Sequence, residues 1–209
     1  MNLEIEIKFA IPTPVIPLFK AHPLLQHPVE PVHTERYATT YYDSPDHQLK
    51  AHGFALRLRQ EPGRIVQTLK QHAHSVEGFT ARKEWDWIVL TPQIDCDLID
   101  IPELKDLLTH SPFIEALAPQ CMTVFDRTIW LLAYDETTCI EVALDQGDIR
   151  AADRSEPIQE VELELKKGDP AALRALGLAL SQTLPLVPEH RSKASRGFAL
   201  MKESSHLDH

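Results

Sequence analysis

No apolar run in the chain approaches the roughly 18 residues that a membrane-spanning helix needs. Cysteine is scarce as well. Cys96, Cys121 and Cys139 are odd in number and share no C-x-x-C spacing, which argues against a disulfide framework or a zinc cluster. Base is short relative to acid, with 21 lysines and arginines against 31 carboxylates and a formal net charge of −10. Such a surface repels nucleic acid and anionic lipid, so neither is expected as a partner. The chain also lacks solenoid-length repeats and low-complexity tracts. Its opening, MNLEIEIKF, puts glutamates where a secretory signal needs bases and then an apolar core, so the expected location is the cytoplasm.

What is present is an ordinary globular balance, 43% hydrophobic and 25% charged over 209 residues, enough for one large domain. Six prolines fall between positions 12 and 31, where only a short, interrupted helix around Ile16 to Leu25 can form. That stretch reads as a packed surface connection rather than a boundary.

Elsewhere the dominant pattern is strand-like alternation. It runs over Leu3 to Phe9, Ala55 to Gln60, Ile65 to Lys70, Thr80 to Val89, Cys121 to Tyr134, Thr138 to Leu144 and Ile158 to Lys166. Further candidates lie at Ala38 to Tyr42 and Asp148 to Ala152, nine segments in all, read as about eight strands. Turn chemistry at Glu61-Pro62-Gly63, Glu77-Gly78 and Gln146-Gly147-Asp148 separates them. Short helices are expected at Pro102 to Leu108 and Pro112 to Leu117, and Asp169-Pro170 is an N-cap and first-turn pair ahead of Ala171 to Thr183. The prediction is an α+β, mainly β fold, with antiparallel strands in a sandwich or barrel and a few covering helices.

The informative feature is what alternates with the apolar residues. Glu4, Glu6 and Lys8 share one face of the first strand, and Glu160, Glu162 and Glu164 share one face near the end of the chain. Arg57 and Arg59 repeat the arrangement with bases; Glu141 with Asp145, and Arg82 with Glu84 and Asp86, do likewise. For any single strand the plain reading is a solvated sheet face. These faces, however, concentrate carboxylates or arginines, and stacked like charges need compensation. A dry core cannot hold them, because an unpaired buried charge costs several kcal/mol, roughly, against a domain stability of about 5–15 kcal/mol. A barrel with an apolar, helix-covered outside and a charged, wet lumen satisfies both demands. Clustered carboxylates without thiols suit Mg²⁺ or Mn²⁺, and arginines suit phosphate oxygens. Together they point to a polyphosphate chelated to a divalent metal.

The opening Glu4-Ile5-Glu6-Ile7-Lys8 resembles the E-x-E-x-K motif of the CYTH, or triphosphate tunnel metalloenzyme, superfamily. The resemblance continues through Tyr41-Tyr42-Asp43, Leu56-Arg57-Leu58-Arg59, Gln67-Thr68-Leu69-Lys70, Arg82-Lys83-Glu84-Trp85, Arg127, Glu141-x-x-x-Asp145-x-Gly147, Glu160 to Leu165, and Ser192 to Gly197. It implies an eight-stranded closed antiparallel barrel, a small-molecule triphosphate substrate and a Mg²⁺ or Mn²⁺ cofactor. By position it implies metal binding by Glu4, Glu6, Glu160 and Glu162, with Asp145 and Glu164 nearby. Phosphate would be bound by Lys8, Arg57, Arg59, Lys70, Arg82, Arg127, Lys193 and Arg196. Lys70 and Glu84 would orient the attacking water, and Lys8 completes the expected catalytic set. Among relatives the likeness is strongest to bacterial inorganic triphosphatases, which implies hydrolysis of tripolyphosphate to diphosphate and phosphate. Class IV adenylate cyclases and thiamine or nucleoside triphosphatases share the scaffold, and a non-catalytic polyphosphate-binding module is the alternative from another class. Residues 1–209 are expected to form a single tunnel domain, monomeric or homodimeric, without the helical CHAD domain that many relatives carry.

Other conspicuous residues have plainer expectations. His72 and His74 read as a solvated turn, His206 to His209 as a terminal tail, and Trp85 and Trp87 as outer packing. Asp95, Asp97 and Asp100 read as a loop ahead of the Pro102 helix.

Overall fold

The computed structural model describes residues 2–72, 74–76, 79–109 and 111–204. The expected turn at Glu77-Gly78, the His74 side chain and the tail from 205 onward lie outside the described residues.

Eight long strands close into an antiparallel barrel. In chain order they are β1 (Asn2–Ala10), β2 (His33–Asp43), β3 (Phe54–Glu61), β4 (Arg64–Gln71), β6 (Phe79–Val89), β7 (Ala118–Ala133), β8 (Cys139–Ala151) and β9 (Arg154–Lys167). Around the ring the order is β1-β9-β8-β7-β2-β3-β4-β6, and β6 pairs back onto β1 to complete it. Two short strands add to the ring: β5 (His74–Val76) against β6, and β10 (Val187–Pro188) against the end of β1.

Alternation decides which side chains see the lumen. The outward set of β1, β7, β8 and β9, including Phe9, Trp130, Leu132, Ile140, Val142, Leu144, Val161 and Leu163, forms one core. It is covered by α1 (Ile16–Lys20) and α5 (Pro170–Thr183), which brings in Phe19, Leu173, Leu176 and Leu180. The α5 start is as expected, with Asp169 Oδ1 accepting the Ala171 N–H at 2.8 Å. A second outer core packs Leu56, Leu69, Trp85 and Trp87 under Ile99, Ile101, Leu104 and Phe113. Those last residues come from the segment holding α3 (Lys105–Leu108) and α4 (Ser111–Ala116), so the tryptophans are outer packing.

Two expectations are corrected. No turn exists at Gln146-Gly147-Asp148: Cys139–Ala151 is one strand, with Gly147 in mid-strand directly opposite Phe125. The chain reverses instead at Ala152, whose φ of +52° makes the bend before β9. The segment after Ser192, expected only as a charged motif, is helix α6 (Lys193–Ser204). It packs against the inward faces of β7 and β8. A Cβ on Gly197 would lie 2.3 Å from Cys121 Sγ and 3.4 Å from Ile149 Cγ2. Ala194 and Phe198 join Tyr41, Cys121 and Ala151 in an apolar cluster, beside another formed by Tyr37, Phe125, Ile149 and Ile158. One end of the lumen is therefore apolar and filled by α6; the remainder is charged. Phe198 is held from outside by the turn carrying α2 (Gln48–Ala51): the His47 ring lies 5.2 Å from it and Lys50 Nζ also 5.2 Å. Asp43 fixes that turn by accepting the N–H groups of Ser44, Leu49 and Lys50 at 2.8, 2.9 and 3.1 Å.

The seat of α6 can be checked chemically. Cys121 is 5% exposed, and burial pushes its thiol up to about 12. A thiol reagent at neutral pH should modify half-buried Cys96 and Cys139 in the native protein well before Cys121, as read by peptide mass spectrometry. Early labelling of Cys121 would mean that α6 does not occupy this end of the lumen.

Candidate functional site

The charged part of the lumen is a cavity of about 650 Å³ lined by nine lysine and arginine side chains and eight carboxylates. Of the residues singled out in the sequence, Glu4, Glu6, Lys8, Arg57, Arg59, Lys70, Arg82, Glu84, Arg127, Glu162, Glu164 and Lys193 line it. Asp145, Glu160 and Arg196 do not. They sit behind the wall, 0%, 1% and 6% exposed.

Strand register explains the grouping. Glu4 of β1 lies opposite Arg82 of β6, Lys70 of β4 opposite Glu84 of β6, and Lys8 of β1 opposite Glu162 of β9. In each of these three pairs an inward charge faces an opposite charge from the neighbouring strand. On one wall Arg82 donates to Glu4 at 2.5 Å and to Glu6 at 2.8 Å, and Lys70 donates to Glu4 at 3.1 Å. Lys70 also pairs with Glu84 at 2.8 Å, and Arg57 reaches the other Glu84 oxygen at 3.3 Å.

On the opposite wall Arg127 grips Asp145 through two bonds of 2.7 Å and also pairs with Glu162. The Lys193 ammonium sits among three carboxylates: 2.6 Å from Asp145, 2.9 Å from Glu162, and paired with Glu160. Arg196 closes the group from behind, holding Glu160 at 2.9 Å, Glu156 at 2.8 Å and the Pro157 carbonyl at 2.6 Å.

These partners act against burial. Desolvation would raise Glu4, but Lys70 and Arg82 hold it well below the usual carboxylate range; Lys193 and Arg127 do the same for Glu162. Glu6 is pushed up, because burial and the nearby charges of Glu162 and Glu4 outweigh Arg82. Glu164 is also raised, chiefly by burial, although Lys166 bonds it at 3.0 Å.

Two bases are left over. Lys8 has no ion pair among the described residues. Among the described residues, Arg59 donates only to Thr39 Oγ1 at 3.2 Å, and it stacks 4.9 Å from the Tyr37 ring. Burial, with Arg57 and Arg127 close by, pulls its guanidinium down to about 10. Arg59, crowded by the Arg57 and Arg127 guanidinium groups and without an ion pair among the described residues, has the chemistry to receive an oxygen-rich anion.

A model of the CYTH domain matches residues 2–198. The chain belongs to the CYTH family. Across 205 residues it is 34% identical to an inorganic triphosphatase of Haemophilus influenzae, covering 96% of this chain and 55% of that protein. The chain thus spans about half the length of this curated relative. Among solved structures, a Hippeastrum protein described as an adenylyl cyclase candidate with a dominant triphosphatase activity superposes with a TM-score of 0.64 at 18% identity, over 96% of each chain. An adenylate cyclase candidate from Bacillus halodurans gives 0.58, also at 18% identity, over 92% of this chain and 97% of the other. These structural likenesses establish the fold of the CYTH chain.

CYTH proteins of this tunnel type depend on a metal, and the donors here fit a hard divalent cation. Carboxylates dominate these donors, no cysteine lines the cavity among the described residues, and one oxygen from each of Asp145, Glu160 and Glu162 lies within 4.8 Å of the others. Some lining groups were absent from the sequence-based set. Lys166 continues the Glu160-Glu162-Glu164 alternation, which was signal enough to find it. Tyr37 and Lys50 carried no such pattern.

Proposed function

We propose that the chain hydrolyses inorganic triphosphate to diphosphate and phosphate inside this cavity, with Mg²⁺ or Mn²⁺ as cofactor. The observation that carries this reading is the near-equality of bases and acids on the cavity wall, with Arg59 and Lys8 making no ion pair among the described residues. A phosphate chain entering such a site takes bases away from their carboxylates. The carboxylates so released are then free for a cation.

Phosphate oxygens would be held by Lys8, Arg57, Arg59, Lys70, Arg82, Arg127 and Lys193, with Arg196 supporting from behind the wall. The cation would be held by Glu4, Glu6 and Glu162, adjoined by Asp145, Glu160 and Glu164. When bound, it would supply charge neutralisation on the phosphoryl oxygens. The bases stabilise charge that spreads over the transferred phosphoryl group, the dominant effect in this chemistry. Glu84 accepts the proton of the attacking water, and Lys70, bonded to it, holds its carboxylate toward the cavity. All these groups lie on the barrel strands or on α6. Its substrate is a small soluble molecule of the cytoplasm. The relative's name points the same way, being that of an inorganic triphosphatase.

The test is phosphate release from tripolyphosphate, ATP and thiamine triphosphate, each with Mg²⁺ or Mn²⁺, beside a Glu6→Gln variant. Tripolyphosphate should be strongly preferred. The variant, which removes one charge at nearly constant size, should lose at least about tenfold in rate. Cyclic AMP production from ATP would favour the cyclase reading, and tight tripolyphosphate binding without turnover would favour a binding module. No metal-dependent release from any substrate would overturn the proposal.

A further inference from the structure

Lys193 holds an unusual place for a phosphate-binding residue. It is 7% exposed and lines the cavity, yet its ammonium is spent on Asp145, Glu160 and Glu162 rather than pointing free into the lumen. Those three carboxylates come from neighbouring strands β8 and β9, where Asp145 lies directly opposite Glu160. Their oxygens gather around the position that the ammonium fills. This is the arrangement of a carboxylate cage holding a cation, with the cation supplied by the chain.

We infer that the Lys193 ammonium is an exchangeable stand-in for a divalent cation, and that its release by the cation delivers Lys193 to the substrate phosphates. The inference rests on the polyphosphate-and-metal reading above and adds to it a coupling between the two ligands. Lys193 is the first residue of α6, and four side-chain torsions let its ammonium leave the cage while the helix stays seated through Ala194, Gly197 and Phe198. The carboxylates do not lose all compensation when it goes. Arg127 still grips Asp145 and Glu162, and Arg196 still holds Glu160. Exchange therefore replaces one cation by another instead of stripping a buried cluster bare, which is the costly event. Because one side chain serves both ligands, each should strengthen binding of the other, and the coupling must be reciprocal.

The experiment is Mn²⁺ binding to the full chain without substrate, by calorimetry, for the wild type and for Lys193→Met and Lys193→Gln. Removing the competitor should tighten Mn²⁺ binding at least tenfold in both variants. It should also shrink the factor by which Mn²⁺ improves tripolyphosphate affinity. The same or weaker Mn²⁺ affinity in folded variants would overturn the exchange. Should the variants fail to fold, the side-chain nitrogen resonances of ¹⁵N-lysine-labelled wild type provide a second measurement, with Lys193→Arg giving the assignment. Addition of Mg²⁺ should move the Lys193 signal, and a signal unchanged at saturating Mg²⁺ would refute the idea. Wild type that binds Mn²⁺ but hydrolyses nothing would count against the proposed reaction, not against the exchange.

Discussion

Glu84→Gln should lower the rate of tripolyphosphate hydrolysis by roughly 10²–10⁴-fold, the range typical of a lost general base. The glutamine keeps the size of the side chain and can still accept the Arg57 bond now at 3.3 Å, but it has no negative charge with which to take a proton. Lys70 loses its 2.8 Å partner and keeps Glu4 at 3.1 Å, so the wall stays assembled. The fall should therefore appear in kcat, with KM changed less than about threefold. A nucleophile-positioning group acts in the transition state more than in substrate binding. Lys70→Met makes the complementary case, because Lys70 both faces phosphate and orients Glu84, so both constants should worsen. Steady-state kinetics with tripolyphosphate and Mg²⁺ decide the matter. If Glu84→Gln retained kcat within threefold of wild type, Glu84 would be excluded as the base, and the water would have to be activated by another cavity carboxylate.

The barrel was legible because strand alternation carries two messages at once. In β1, Ile5 and Ile7 mark the outer face while Glu4, Glu6 and Lys8 mark the lumen. In β9 Val161 and Leu163 do the same opposite Glu160, Glu162 and Glu164. A charged inner face can persist only where water or a ligand compensates it, so composition on one face reported the cavity. What the sequence did not show was depth. Asp145 and Glu160 share the inward parity of Glu162, yet they lie behind the wall because α6 brings Lys193 and Arg196 across them. Parity identifies the face of a strand; it is silent about which other element covers that face. The helix itself left a trace, since Ala194, Phe198 and Met201 recur at helical spacing. That trace was obscured by the basic residues around it. The inward apolar residues Cys121, Ile149 and Ile158 are the floor on which α6 rests.

Gly147 shows how a local rule was overridden, and substitution there should have the largest effect on stability. Between Gln146 and Asp148 it resembles a turn residue, but in β8 it is the one residue small enough to lie under Phe125. A Cβ built there would sit 2.1 Å from the Val124 carbonyl oxygen and 2.5 Å from Phe125 Cα. Both are backbone atoms of the paired strand, so relief requires β7 and β8 to separate rather than a side chain to turn. Gly147→Ala should therefore cost about 3 kcal/mol, the upper end of ordinary overpacking. For a chain of this size that corresponds to a fall in Tm of roughly 6–12 °C. Arg127 and Asp145, each two residues from the clash, would shift with their strands, so activity should fall even below the melting transition. Gly63→Ala separates this steric effect from simple loss of glycine. Gly63 sits in the β3–β4 turn at φ +80°, and a methyl group added there would meet nothing within 4 Å, so only the left-handed backbone cost of about 1–2 kcal/mol applies. Thermal unfolding of the two variants beside wild type should rank Gly147→Ala well below Gly63→Ala. The reverse order would mean that β7 and β8 do not pair in this register, and with it the placement of Arg127 against Asp145 would fall.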